Sequence, residues 1–257
     1  MVRRVDHTGL LYPATKTNIS TLQNKSIYKI CCESRLITYN CNMKKTDHIS
    51  TIAELSESEG VFNTAQAARM GIPRDALHDA AASGRIEQIA HGAYRLVGSG
   101  SEQTDELVAA WKLTASDRFT HEGTQAEAWD SVAVGGATAA SLLGIEDFYL
   151  SPYRIYALRR INSRNKAVSF AVRKVARDEV SFASGFPVTT PERTIFDLVA
   201  DDEDLSLVSD ALHGACAGSR PFDVNKLEAL SHGKYGKNKA DQILTSLLAD
   251  AGIAERG

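Results

Sequence analysis

The most informative stretch of this sequence is Phe62–Leu96, which reads FNTAQAARMGIPRDALHDAAASGRIEQIAHGAYRL. Its beginning is typical of a helix start, because Asn63 or the threonine after it can cap a helix and Gln66 follows three residues after Asn63. Gly71 tolerates the left-handed conformation in which helices often end. Pro73 suits the first turn of a new helix, where its missing N–H costs nothing. The stretch therefore predicts two short helices separated by a tight turn.

The residues on either side extend this pattern. Apolar residues at helical spacing run from Ile49 to Leu55, and Gly60 ends that helix. Two strand-like runs, at 85–89 and 93–97, follow the third helix and are joined by Ala-His-Gly. Helix, helix, tight turn, helix and hairpin is the order of a winged helix-turn-helix. We predict this domain over residues 47–97.

A stretch rich in Gly and Ser, GSGS at residues 98–101, predicts a linker over residues 98–104 and a second domain over residues 105–257. The predicted helices beyond it lie at 102–113, 137–143, 192–200, 204–217, 223–231 and 238–251, and the predicted strands at 153–158 and 167–175. We therefore expect an α+β fold, in which an N-terminal winged helix-turn-helix is followed by a mixed α/β C-terminal domain.

The composition is that of a water-soluble protein, with 43% hydrophobic and 24% charged residues. It excludes collagen-like and mainly disordered chains. No run approaches the roughly 20 apolar residues that cross a bilayer. The four cysteines include no Cys-x-x-Cys pair of the kind that binds zinc. We expect a cytoplasmic protein with reduced thiols and no membrane contact.

Residues 1–46 differ in charge from the rest of the chain. They carry eight Lys or Arg against two acidic residues, whereas residues 47–257 carry 21 basic and 30 acidic residues. We interpret this segment, which shows little periodicity, as a disordered tail or a mis-annotated extension before Met43. A basic arm laid along DNA is the alternative. The acidic remainder would bind nucleic acid only through local patches.

Seven residues of the predicted winged helix are candidates for DNA contact. They are Thr64, Gln66, Arg74, His78, Arg85, His91 and Arg95. The third helix of such a domain enters the major groove, where the guanidinium of Arg74 can bridge O6 and N7 of guanine. His78 lies one turn further along. Asp75 and Asp79 are also one turn apart in this helix, and they would repel phosphates.

The other candidates would contact the DNA backbone. Thr64 and Gln66 lie at the start of the second helix, where hydroxyl, amide and free N–H groups can hold a phosphate. Both residues could equally serve as helix caps. Arg85 opens the first strand of the predicted wing. His91 and Arg95 follow on the wing, from which they could reach the backbone or the minor groove.

Two stretches of the sequence resemble the AbiEi family. They are Gly60–Leu96, which ends in GAYRL, and Gly185–Ala200, which contains GFPVTTPERTIFDL. The resemblance covers roughly residues 50–217, with the winged helix first and the α/β domain second. Members of this family are antitoxins of abortive-infection, type IV toxin–antitoxin systems, which act in phage defence.

The resemblance implies a dual role. The winged helix would bind inverted repeats in the promoter of its own operon and repress it. The C-terminal antitoxin domain would neutralise a co-transcribed nucleotidyltransferase-like toxin, without the two proteins having to form a stable complex. The family often has an arginine where His91 stands. The alternative is a stand-alone winged-helix transcriptional regulator without a toxin partner.

A basic segment without any acidic residue runs from Arg154 to Arg177. Its cations are Arg154, Arg159, Arg160, Arg164, Lys166, Arg173, Lys174 and Arg177. If the two predicted strands here form a hairpin, the four cations from Arg159 to Lys166 cluster at its tip. Three interpretations stay open: a second DNA contact, a toxin-facing surface, and a solvated edge that discourages sheet-to-sheet pairing.

The sequence contains no motif typical of an enzyme. His121-Glu122 lacks the second histidine of a zinc helix, because position 125 is Gln. Gly135-Gly136 precedes a helix without the Gly-Lys-Ser/Thr of a phosphate loop, and close packing explains these glycines better. We expect no catalytic residues, no metal, no cofactor and no enzyme activity.

Overall fold

The structure, a computed structural model, describes residues 48–99, 103–115, 117–218 and 220–253. The predicted N-terminal extension over residues 1–46 lies outside these residues, as does the middle of the predicted linker. The described residues all belong to one compact unit, Lys45–Gly257. The domain boundary at residues 98–104 stays a prediction.

The N-terminal part is a winged helix-turn-helix, as predicted. Its helices are α1 (His48–Glu59), α2 (Thr64–Arg69) and α3 (Arg74–Ala82), and its strands are β1 (Phe62–Asn63), β2 (Ile86–Ala90) and β3 (Ala93–Leu96). The strands form an antiparallel sheet in the order β1-β3-β2. The β2–β3 hairpin is the wing.

Local sequence signals account for the turns of this domain. Asn63 caps α2 by accepting hydrogen bonds from the backbone N–H groups of Ala65 and Gln66, and the Gln66 side chain accepts from the Asn63 N–H in return. Gly71 has a φ of +78°, which glycine adopts without strain. The apolar faces of the three helices meet the sheet in one buried cluster that includes Ile52 and Leu77.

The C-terminal part contains seven helices and five strands within the described residues. The helices are α4 (Asp105–Lys112), α5 (Thr120–Gly123), α6 (Gly136–Leu143), α7 (Pro191–Ala200), α8 (Leu205–Ala217), α9 (Val224–Tyr235) and α10 (Lys237–Asp250). The strands are β4 (Ala133–Val134), β5 (Tyr153–Ala157), β6 (Val168–Val172), β7 (Val180–Ser181) and β8 (Val188–Thr189). Two short 3-10 helices, Ala126–Ala128 and Arg177–Glu179, complete this part. The chain therefore has the predicted α+β fold.

The five strands form one mixed sheet in the order β6-β5-β4-β8-β7. One apolar cluster, which includes Ile155 and Val188, lies against this sheet. A second cluster joins α6 to the C-terminal helices α7–α10, with Ile195 and Leu212 fully buried in it. Helix α6 contributes Ala139 to the first cluster and Ala140 to the second, and it therefore connects the sheet to the helical layer.

The hairpin expected around the basic segment is wrong. Strands β5 and β6 pair in parallel, with Tyr153 opposite Val168 and Ala157 opposite Val172. A hairpin requires antiparallel strands, whereas a parallel pair requires a connection that runs back along the strands. Residues 158–167 form this crossover, and Arg159, Arg160, Arg164 and Lys166 lie along it rather than at a hairpin tip.

Candidate nucleic-acid interface

Helix α3 presents a polar face to solvent. Leu77 and Ala80 are buried against the core of the winged helix, whereas Arg74, Asp75, His78 and Asp79 are exposed. Arg74 and His78 are four residues apart and therefore lie on the same side of the helix. The candidates of α3 are thus placed together, and acidic residues accompany them as expected from the sequence.

The wing supplies two further exposed candidates. Arg85 precedes β2, and His91 lies in the tight turn between β2 and β3. The next residue, Gly92, has a φ of +83°. Its carbonyl accepts a hydrogen bond from the N–H of Thr64 at 3.0 Å. The tip of the wing is therefore anchored to the start of α2, where half-buried Thr64 already uses its backbone N–H.

Gln66 is placed inside the protein, which corrects its prediction as a DNA contact. Its side chain is fully buried. The Nε2 atom donates to the carboxylate of Glu59 at 3.1 Å and to the carbonyl of Arg118 at 2.7 Å. Because these bonds use both amide hydrogens, none is left for a phosphate. The helix-cap interpretation of Gln66 is confirmed.

Arg95 is also buried, contrary to its predicted role on the wing. Its guanidinium forms ion pairs with Glu87 at 2.7 Å and with Asp105 at 3.4 Å. Asp105 is the first residue of α4, so Arg95 ties the wing to the helix that follows the predicted linker. The inward-facing position of Arg95 on β3 explains why it does not reach the solvent.

Sequence reasoning missed a buried polar cluster around Glu59. Lys112 donates to the Glu59 carboxylate and to its backbone carbonyl, each at 2.7 Å, and both side chains are 3% exposed. The hydroxyl of Thr120 donates to the same carboxylate at 2.7 Å. Burial lowers the pKa of Lys112, and the charge of Glu59 opposes this shift. The cluster joins α1 to α4 and α5.

The sequence also did not predict a contact between Arg69, the last residue of α2, and helix α5. Arg69 donates to both carboxylate oxygens of Glu122, at 2.6 and 2.7 Å, and its guanidinium lies 4.3 Å from the centre of the Phe119 ring. The hydrogen bond from Arg69 lowers the pKa of Glu122 to about 2. Arg69 would have been a plausible phosphate ligand, but it is engaged by α5 and its preceding turn.

The predicted basic segment separates into two groups. Five of its cations are exposed: Arg159, Arg160, Arg164, Lys166 and Lys174. The other three are held by the protein, so they are not part of a free basic surface. Arg154 donates to Ser169, Arg173 pairs with Asp197 and Asp201, and Arg177 donates to the carbonyls of Thr124 and Val180.

Residues 50–97 match the family described as "Transcriptional regulator, AbiEi antitoxin". We call these residues the AbiEi domain because of this match. The match runs from α1 to the end of the wing and confirms the predicted resemblance over this part of the chain. The resemblance of Gly185–Ala200 lies outside the matched residues and stays a prediction. Among curated proteins, none matches this chain.

The stretch PERT (residues 191–194) begins α7 and contributes to a network of buried charges on this helix. The guanidinium of Arg193 bonds the Asp197 carboxylate at 3.0 Å and also pairs with Glu179. Arg173 reaches Asp197 at 2.9 Å from the end of β6. Burial raises the pKa of Asp197 to about 6, although both arginines oppose the shift. The network attaches β6 to α7.

Gly135 and Gly136 have a packing role, as predicted. A Cβ atom on Gly135 would overlap the ring of Tyr156, and Gly136 has a φ of +57°. The Tyr156 hydroxyl donates to Asp201 at 3.2 Å, and burial raises its pKa. The close approach of the α6 N-terminus to this tyrosine therefore requires glycines.

The described residues include neither a metal-binding cluster nor a membrane-spanning helix. No group of three His, Cys, Asp or Glu side chains in them is placed to hold a metal ion. None of their helices is both long enough and apolar enough to cross a bilayer.

Proposed function

We propose that the AbiEi domain binds the promoter of its own operon and represses transcription. The exposed face of α3 carries this proposal, because Arg74 and His78 lie there side by side. In winged helices this helix enters the major groove, and an arginine there can bridge guanine O6 and N7. The matched family is described as a transcriptional regulator, which supports the proposal.

The DNA contact has few positive charges. Arg74, His78, Arg85 and His91 remain exposed, and only two of these are arginines. With Arg74 on guanine, Arg85 of each of two copies at an inverted repeat neutralises one phosphate, and two neutralised phosphates give a log–log salt slope of about −2, since each contributes about −0.9. Specificity must therefore come mainly from α3 and from paired binding at inverted repeats.

We further propose that the protein is the antitoxin of a type IV system and neutralises a nucleotidyltransferase-like toxin encoded beside it. The family description names antitoxins, which supports the general role. We assign antitoxicity to the part of the chain that follows the AbiEi domain, with no requirement for a stable complex. The role is regulatory and not catalytic, it is exercised in the cytoplasm, and its context is phage defence.

Co-expression of the full chain with the product of the adjacent gene tests the antitoxin role. The neighbour alone should arrest bacterial growth, and the full chain should restore it. A harmless neighbour, or arrest that the folded full chain does not relieve, contradicts this role. With promoter repression intact, either result favours a stand-alone regulator without a toxin partner.

A further inference from the structure

Strand β6 forms one end of the five-stranded sheet and pairs only with β5 within the described residues. The N–H of Tyr153 donates to the carbonyl of Ala167, and the N–H of Arg173 donates to the carbonyl of Ala157. Because backbone groups alternate along a strand, the N–H and C=O groups of Phe170 and Val172 point away from β5. An open strand edge of this kind is a template for another extended chain.

The side chains around this edge are strongly basic. Arg159, Arg160, Arg164 and Lys166 lie on the crossover before β6, and Lys174 lies two residues after its end. All five are exposed, and no acidic residue occurs between Arg154 and Arg177. The surface therefore attracts an acidic partner.

Two occupants from this chain are disfavoured by charge. A second copy would bring the same five cations to the same edge, and like charges across a strand pair are destabilising. The segment of residues 1–46, with eight basic and two acidic residues, is repelled in the same way. The occupant is therefore another molecule.

Apolar side chains distinguish a polypeptide from DNA at this edge. Val172, in β6, is 64% exposed, and Leu158, directly after β5, is 56% exposed. A phosphate backbone offers them no apolar contact, whereas an extended peptide directs every second side chain to the same face, where an apolar one can contact them. Directed backbone hydrogen bonds at the edge likewise suit a peptide.

We propose that the edge of β6 binds an extended acidic segment of a partner protein as an additional strand. The carboxylates of the segment contact the five exposed cations, and an apolar residue contacts Val172. Backbone hydrogen bonds supply the affinity in strand addition, and side-chain contacts supply the specificity. This inference goes beyond the proposed function and does not depend on promoter binding by α3.

The test uses the full chain and a fluorescent synthetic peptide of alternating Glu and Val. We expect saturable binding by anisotropy, and slower hydrogen exchange at the amides of Phe170 and Val172 in the complex. A second peptide, N-methylated at alternate residues, keeps the charge but loses the backbone donors. It should bind roughly tenfold more weakly.

A matched pair of variants locates the site. Val172→Pro removes one outward N–H, and proline is tolerated at such edge positions, so binding should fall roughly tenfold without loss of the fold. Leu205→Pro is the control: it also places a proline at an exposed apolar residue, but at the first position of α8, where proline is tolerated, and it should bind as the wild type does.

Three results would overturn the proposal. In the first, the peptide does not bind, and the edge is then a solvated one. In the second, the N-methylated peptide binds equally well, so that charge alone explains the affinity. In the third, duplex DNA binds here in place of the peptide, and this DNA binding is lost in the double variant Arg159→Glu, Arg160→Glu. The surface is then a nucleic-acid contact.

Discussion

Lys112, the last residue of α4, donates its ammonium group to both the carboxylate and the backbone carbonyl of Glu59, the last residue of α1, at 2.7 Å in each case. The two residues are 53 positions apart and lie on opposite sides of the predicted linker. The pair therefore attaches the AbiEi domain to the helix that follows it, and the two parts are expected to unfold together.

Lys112→Met tests this attachment. The substitution leaves the buried carboxylate of Glu59 without its countercharge, and breaking a buried ion pair in this way costs about 3–5 kcal/mol. Chemical denaturation of the full chain measures the loss. Arg220→Met, which removes an exposed cation elsewhere in the chain, is the control and should change the midpoint little. A loss below about 1 kcal/mol for Lys112→Met would show that the pair does not secure the fold.

Asp197→Asn tests the buried network on α7 through its pH dependence. The folded-state pKa of Asp197 is raised from 3.8 to about 6. Its contribution to the free energy of unfolding is therefore complete below about pH 4 and is lost as the pH rises through about 6. Asn resembles the protonated acid. The stability advantage of the wild type over the variant should therefore shrink between pH 4 and pH 7, by an amount on the order of 2 kcal/mol. An advantage that grows over this range would show that the arginines outweigh burial.

Asp75→Asn tests the electrostatics of α3. Asp75 is exposed beside Arg74, and its charge repels phosphates when the helix enters a groove. If the Asp75 carboxylate lies about 6 Å from a phosphate in water, removal of its charge should raise DNA affinity roughly threefold. Fluorescence anisotropy with promoter DNA measures this, and Asp147→Asn, an exposed change in the second part, should have no effect. Unchanged or weaker binding by Asp75→Asn would place α3 away from the DNA.

Sequence patterns predicted the winged helix because its signals are local. Asn63, Gln66, Gly71 and Pro73 determine where helices begin and end through contacts within a few residues. The burial of Gln66 was not predictable, since its partners include Arg118, which is 52 residues away. Whether a candidate side chain faces DNA or the interior depends on such distant packing.

The same distinction explains the outcome at the basic segment. Alternation predicted the strands that became β5 and β6, but alternation is the same for parallel and antiparallel pairing. The crossover therefore replaced the expected hairpin. Arg193 and Asp197 are spaced as an i,i+4 pair, which is visible in the sequence. Their burial follows from the contacts of α7 with the end of β6 and with the helical layer.

Charge reversal separates the two groups of basic residues. Arg159→Glu, Arg160→Glu and Arg164→Glu together alter only exposed side chains, so the fold should persist while antitoxicity, DNA binding or both decline. Arg173→Ala should instead lower stability, because Arg173 bonds Asp197, Asp201 and the Tyr156 hydroxyl. Growth rescue, promoter binding and thermal unfolding of each variant measure these effects. A triple variant with wild-type behaviour in both functional assays would leave the exposed group as a solvated edge.

Binding of the full chain to the DNA upstream of its own gene, measured for the wild type, Arg74→Ala and the exposed control Arg220→Ala, tests the central claim most directly. The wild type and the control should bind this DNA equally, with a salt slope of about −2. Arg74→Ala should bind it 1–3 kcal/mol more weakly, about the contribution of a bidentate guanine contact, while unfolding at the same temperature. Equal binding by Arg74→Ala, or no preference of the wild type for this DNA over unrelated duplexes, would contradict promoter recognition through α3.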